Sequence, residues 1–141
     1  MRTFEYRHII GFEETNVVGN VYYANHIRWQ GRVRELFLRE RVPSLLRALA
    51  DGLSFVTLRV SCEYFRELVA FDEISIRMQL AELSPHRMSL RFEYWKIVQD
   101  GEELVARGEQ DLACMKRTDG KLEPEQWPDS LREALRPYAE R

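Results

Sequence analysis

Between Phe55 and Met115 the chain alternates apolar and polar residues through four successive runs, and one long helical stretch, Val21 to Arg41, precedes them. That order limits the fold more than any other property of the sequence. Successive side chains of a strand point to opposite faces, so each alternating run makes a half-buried strand with one apolar face. Runs of strands after a single long helix predict an α+β fold, in which an antiparallel sheet curls over the helix.

The runs are legible one by one. Phe4, Tyr6, His8 and Ile10 share one face of a first strand over Thr3 to Ile10. Phe55 to Leu68 puts Val56, Leu58, Val60, Cys62 and Tyr64 on one face, with Thr57, Arg59, Ser61 and Glu63 on the other. Phe71 to Leu83 carries Ile74, Ile76, Met78 and Leu80, and Met88 to Val98 carries Met88, Leu90, Phe92 and Tyr94. Asp100-Gly101 signals a hairpin. Leu104 to Met115 is the last strand, with Gly108 a bulge or a point of close approach. Thr118 to Lys121 reads as a turn. Short helices are expected over Ser44 to Ala50 and Ser130 to Leu135. The order is β-α-β-β-β-β with a small C-terminal helix. It forms one domain over residues 1–141, with a core over 3–117 and a tail over 118–141.

Composition removes several classes of function. With 21 basic and 23 acidic residues the net charge is −2, against the basic surplus that nucleic-acid binding needs. No apolar run is long enough to cross a bilayer, and the first residues lack the apolar core of a signal peptide. Cys62 and Cys114 lie far apart, each in a strand-like run. They read as small buried hydrophobes in a reducing compartment, which predicts a cytoplasmic protein.

The helix carries the informative exceptions. Tyr23, Ile27, Gly31, Arg34 and Leu38 fall on one stripe, flanked by Tyr22, His26, Trp29, Val33, Leu36 and Phe37. A guanidinium on such a stripe is costly unless it is paired or faces a cavity. Two readings of Arg34 are open: a structural pairing with a carboxylate or at a subunit interface, or a donor fork aimed at an anionic or carbonyl group. Gly31, mid-helix, predicts that something approaches closely there. Before the helix, Glu14 to Asn20 reads as a polar turn. Asn16 or Asn20 would cap the helix, or Asn16 would position a water or a carbonyl. The helix's first N–H groups, counted from Gly19, Asn20, Val21 and Tyr22, suit a developing oxyanion. Glu13 and Glu14 are the carboxylates beside the turn. His26 and His8 read as core, Tyr22 and Tyr23 as core with hydroxyls at a site edge, and His86 as solvated. No nucleophile elbow, zinc-ligand cluster, P-loop or dinucleotide fingerprint is present.

The stretch Glu14-Thr15-Asn16-Val17-Val18-Gly19-Asn20-Val21-Tyr22-Tyr23-Ala24-Asn25-His26-Ile27-Arg28-Trp29, with Arg34 beyond it, resembles the signature of hot-dog-fold thioesterases of the 4-hydroxybenzoyl-CoA thioesterase type. That signature runs Asp-Thr-Asp-x-x-Gly-x-Val-Tyr-Tyr-x-Asn-Tyr-x-x-Trp, with a downstream Glu and Arg. The strand order over residues 3–117 and the ending Trp127-Pro128-Asp129-Ser130-Leu131 are similar too. The departures matter: the signature's catalytic aspartate is Asn16 here, and the helix glutamate that often follows is Gly31. An amide cannot serve as general base or carboxylate nucleophile.

Asn16, Gly31 and Arg34 together resemble the branch of these thioesterases that serves enediyne polyketide biosynthesis. The resemblance implies release of a polyene or β-keto chain from the phosphopantetheine thioester of an acyl carrier protein domain of an iterative polyketide synthase. It implies that Asn16 and Arg34 are catalytic, that no metal or cofactor is needed, and that the protein is a homo-oligomer. The oligomer would be a dimer or a dimer of dimers (a homotetramer), with sites at subunit interfaces. The acyl chain is expected in an apolar channel from Tyr23 and Ile27, with Thr57 and Arg59 at the channel or its mouth. Two alternatives stand beside this: a general acyl-CoA thioesterase using Glu13 or Glu14 as base, and a non-catalytic acyl- or carrier-binding protein.

Overall fold

The computed structural model describes residues 2–140. Strand β1 (Phe4–Ile9) leads through a 3-10 turn (Phe12–Glu14) to helix α1 (Ala24–Arg41) and a short helix α2 (Leu45–Ala50). Four long strands follow: β2 (Leu53–Tyr64), β3 (Glu73–Leu83), β4 (Arg87–Val98) and β5 (Gly101–Thr118). Then come β6 (Lys121–Pro124), helix α3 (Asp129–Leu135) and a 3-10 turn (Arg136–Tyr138). The sheet runs β1-β3-β4-β5-β2, antiparallel throughout, with β6 paired to β5. It curls around α1 in the hot-dog arrangement that the resemblance implies.

Register explains the core. Phe4 pairs with Met78, Ile76 with Tyr94, Met78 with Phe92 and Leu90 with Leu80. All are buried, so the alternating residues of β1, β3 and β4 form one apolar floor. Helix α1 lays Trp29, Val33 and Phe37 on that floor. Phe37 meets Phe4 edge-on at 5.3 Å between ring centroids. The tail closes the far end: Trp127 packs on Phe55 at 5.2 Å and donates its Nε1–H to the Arg87 carbonyl at 3.1 Å.

Three expectations are corrected. First, α1 starts at Ala24, not Val21, and Tyr23 rather than Asn16 or Asn20 occupies its N-cap, without a side-chain cap. Residues before it are held in other bonds, described below. Second, β2 does not keep one alternation. A bulge between Thr57 and Arg59 shifts the register, so Thr57 pairs with the buried, helix-facing Leu112 and Arg59 with Asp111 on the outer face. Thr57 and Arg59 thus lie on opposite faces, and Phe55, not Val56, reaches the core. Third, the turn at Thr118–Lys121 closes a further hairpin, β5 with β6, that the short Lys121–Pro124 run did not announce.

Candidate active site

Glu14 organises the turn before α1. One of its carboxylate oxygens, Oε1, accepts from His8 Nε2 (2.7 Å) and from the Gly11 N–H (2.9 Å), and Oε2 accepts from Trp29 Nε1 (2.9 Å). Its backbone carbonyl accepts from the Tyr22 N–H (3.0 Å) and from Asn25 Nδ2 (2.8 Å). One residue therefore ties the turn to β1 and to the first two turns of α1. Burial pushes the Glu14 carboxyl upward, but the donors from Gly11, His8 and Trp29 outweigh it and hold it below its ordinary value. The carboxylate is ionised at neutral pH, and both its oxygens are engaged. A cleft of about 500 Å³ opens beside it, with Glu13, Arg28, Gly31, Arg32 and Glu35 on its walls.

Asn16 stands at the exposed tip of the turn. Its Oδ1 accepts the Val18 N–H (3.1 Å), its carbonyl accepts the Gly19 N–H (2.9 Å), and its N–H donates to the Asn20 carbonyl (2.9 Å). Gly19 takes φ +94°, which closes the turn and which side-chain-bearing residues rarely adopt. The side-chain nitrogen of Asn16, Nδ2, has no protein partner among the described residues and remains available as a donor.

The expected oxyanion donors separate into two groups. The N–H groups of Gly19, Val21 and Tyr22 are occupied, by the carbonyls of Asn16, Leu68 and Glu14 respectively. The N–H groups of Asn20, Tyr23 and Ala24 have no protein acceptor among the described residues. The later start of the helix thus moves the free donors from Val21 and Tyr22 to Tyr23 and Ala24, at its positive end. Tyr22 and Tyr23 are not core residues. They are 46% and 62% exposed and pack on each other at 4.7 Å.

Further along α1, His26, Gln30 and Arg34 recur every fourth residue and make a polar stripe facing the sheet. Arg34 is half-buried and donates from Nη1 to Gln110 Oε1 on β5 (3.0 Å). Burial draws its pKa down, with Glu35 opposing, but a guanidinium stays protonated. Gln30 is fully buried; its Nε2 donates to the Ser61 carbonyl (3.0 Å), while its Oε1 has no partner. Gly108 makes room for this amide: a Cβ there would lie 2.0 Å from Gln30 Nε2. His26 is 3% exposed, and neither ring nitrogen has a hydrogen-bond partner. A buried, unpaired polar group costs about 1–3 kcal/mol, so both residues are expensive as they stand.

In a single protomer Asn16 and Arg34 do not meet. Ten residues separate Ala24 from Arg34, about 15 Å of helix axis at 1.5 Å per residue. Nor does the channel expected from Tyr23 and Ile27 reach Thr57 and Arg59. Arg59 lies on the outer face, 3.8 Å from Glu109, and lines a separate cleft of about 710 Å³ with Arg87 and Asp111. Gly31 faces open space, with nothing near a Cβ built on it, so the expected close approach is not made within the protomer. Sequence reasoning missed the His8–Glu14–Trp29 cluster and the buried Gln30. A carboxylate six residues after a strand histidine and fifteen before a helix tryptophan gives no periodic signal, and a helix glutamine reads as solvent-facing. Among the described residues no three His, Cys, Asp or Glu side chains gather as a metal site.

The geometry offers free N–H donors at a helix start, an amide at a turn and a half-buried guanidinium. These donors can stabilise negative charge on an acyl oxygen. Comparison with known proteins points the same way. The profile of the thioesterase-like superfamily matches residues 10–135. The dynemicin thioesterase, whose crystal structures reveal induced-fit and allosteric effects upon polyene binding, is 42% identical, over 99% of both chains, with a TM-score of 0.95. A putative esterase of Aquifex aeolicus (strain VF5) is 33% identical over 91 residues, 64% of this chain and 70% of that protein. A mutant 4-hydroxybenzoyl CoA thioesterase complexed with 4-hydroxybenzoyl CoA shares the fold. Its TM-score is 0.84 at 16% identity, over 96% of this chain and 99% of that one.

Proposed function

Because the chain belongs to the thioesterase-like superfamily and is a hot-dog acyl thioester hydrolase, we propose that it releases a polyene or β-keto polyketide chain. The chain would come from the acyl carrier protein domain of an iterative, enediyne-type polyketide synthase. The observation that carries this reading is the full-length likeness to the dynemicin thioesterase, a protein that binds a polyene. The presence of Asn16 where related signatures have an acid supports it. A cytoplasmic setting, with both cysteines free, fits it as well.

In the mechanism, the phosphopantetheine thioester carbonyl lies at the Tyr23 and Ala24 N–H groups, with the Asn16 amide as a further donor. Water attacks the acyl carbon, the carbon–sulfur bond breaks, and the thiol leaves with one of the water's protons. Arg34 stabilises the developing charge or holds a β-oxygen. A β-keto acid released beside it can then lose carbon dioxide, the cation stabilising the enolate. Since Asn16 and Arg34 are apart within one protomer, the complete site takes Arg34 from a second copy. Strand β2 supports this: it is one edge of the sheet, and Leu58, Val60 and Tyr64 are exposed along it. The assembly is a dimer or a dimer of dimers.

The test is hydrolysis of carrier-bound and CoA-bound acyl thioesters by wild type, Asn16→Ala, Arg34→Ala and Glu14→Gln. Asn16→Ala and Arg34→Ala should each lower kcat about 10²–10³-fold, the usual cost of losing an oxyanion donor. Glu14→Gln should keep most of the rate. A collapse confined to Glu14→Gln, with CoA thioesters preferred, would move the chemistry to a carboxylate base in the cleft beside His8. Absence of turnover in wild type would make the protein an acyl- or carrier-binding module.

A further inference from the structure

The partner of Arg34 is an amide, not a carboxylate. Arg34 Nη1 donates to Gln110 Oε1 at 3.0 Å, and among the described residues the guanidinium has no ion pair and no other acceptor. Other arginines of the sheet are neutralised. Arg91 meets Glu109 at 3.0 Å and Glu140 at 2.6 Å, and Arg107 meets Glu93 at 3.1 Å. A half-buried cation needs a counter-charge more than these do, because water screens it less. Arg34 also borders an apolar space lined by Phe37, Phe55, Met78 and Leu90, where a charge acts with little screening.

Gln110 is an exception of its own. On β5 it shares the inward face with Ala106, Gly108, Leu112 and Cys114, all buried, and it is 3% exposed. Its cross-strand neighbours are Val60 on β2 and Leu90 on β4, both uncharged. A leucine would fill such a place with no polar group to satisfy. The amide has what leucine lacks, a carbonyl that fixes a guanidinium. It lacks what glutamate has, a charge that cancels one. Held by Oε1 alone, the guanidinium keeps its full charge and four of its five N–H donors.

We propose that Gln110 is a positioning residue for the reaction: its carbonyl orients Arg34 and leaves the positive charge undiminished for the acyl group. This rests on the thioesterase reading of the site, in which Arg34 stabilises charge developing on that group. Gln110 acts through Arg34 and touches no reacting atom.

The experiment takes kcat with octanoyl-pantetheine, and the urea midpoint, for wild type, Gln110→Glu and Gln110→Met. Both variants keep the length of the side chain. Gln110→Glu keeps an acceptor for Arg34 and adds a neutralising charge, whereas Gln110→Met removes the acceptor and adds none. A glutamine that only braces the fold would be replaced well by glutamate, the stronger partner for arginine, and badly by methionine. The proposal requires the opposite order in kcat. Gln110→Glu should lower it about 10²-fold, the effect of losing a charge-stabilising donor. Gln110→Met should lower it about tenfold, the worth of one net hydrogen bond. A Gln110→Glu enzyme faster than Gln110→Met overturns the proposal. Wild-type kcat in Gln110→Met overturns it too, even where Gln110→Glu fails to fold. A second measurement needs no turnover: calorimetric binding of octanoate and of neutral octanamide to the intact protein. Wild type should prefer the anion about tenfold or more, as a charge-assisted bond implies. Gln110→Glu should erase that preference and Gln110→Met keep most of it. No preference in wild type, or an equal one in Gln110→Glu, overturns the proposal. Wild type that hydrolyses no thioester fails the hydrolase reading alone, and the anion preference still decides the role of Gln110.

Discussion

Gly108 shows what one hydrogen atom in place of a methyl can hold together. The Gln30 amide occupies the space its side chain would fill, and the Ser61 carbonyl lies 2.9 Å from the same point. Gly108→Ala should therefore lower stability by about 1–3 kcal/mol, as overpacking does, measured as a drop in the urea midpoint. Gln30→Ala made together with it should recover part of the loss, whereas strictly additive losses would show that the two residues do not collide. At this scale the sequence was half legible. A glycine inside an alternating strand announced a close approach, and an arginine on an apolar stripe announced a partner. Neither could say which residue would answer: Gln30 and Gln110 are polar side chains whose burial depends on contacts far away in the chain. Gly31 went the other way, a glycine whose expected neighbour is missing from the protomer.

At the scale of elements, the strands were readable where both their neighbours enforce the pleat. β3 and β4 have a paired strand on each side, and their apolar residues are buried as alternation predicts. β2 has a neighbour on one side only, and there the pattern failed: a bulge reverses the faces of its first half, which no count of alternating residues reveals. The start of α1 failed for a related reason. Tyr22 has helical spacing, but its carbonyl accepts the Asn25 N–H three residues on, a tight turn that leads into a helix beginning at Ala24. The free edge of β2 carries its own expectation. Val60→Asp, introducing a charge on that edge, should shift the protein to a smaller species in sedimentation velocity at micromolar concentration. Identical profiles for the two proteins would remove β2 from the proposed subunit interface.

For the whole molecule, the buried histidine sets an acid limit. The unfolded chain takes up a proton at His26 near pH 6.5, while the folded ring resists protonation until about pH 4. The unfolded state thus binds more protons across that interval, and stability falls as pH drops through it. The loss is about 3 kcal/mol at about 1.4 kcal/mol per pKa unit. Tyr64 and Tyr94, which face the ring, stay neutral there. Glu14 adds a second limb at lower pH. Its folded value is depressed, so its contribution is present above its ordinary value and is lost as pH falls through the folded one. Urea unfolding at about pH 7 and about pH 4.5 should show the first limb in wild type and a flattened one in His26→Phe. Equal slopes in the two would remove His26 as its source.

The turn bearing Asn16 is also bound to a second loop. The Val21 N–H donates to the Leu68 carbonyl, Asn20 bridges to Val69, and the Phe71 N–H, in a left-handed backbone at φ 73°, donates to the Ile10 carbonyl. The two segments are 47 to 61 residues apart in the chain at these contacts and share one set of bonds. Substitutions in them will not add. A change tolerated at Leu68 or Val69 alters which changes are tolerated beside Asn16, so any evolutionary path that retunes this site has to move through both loops together.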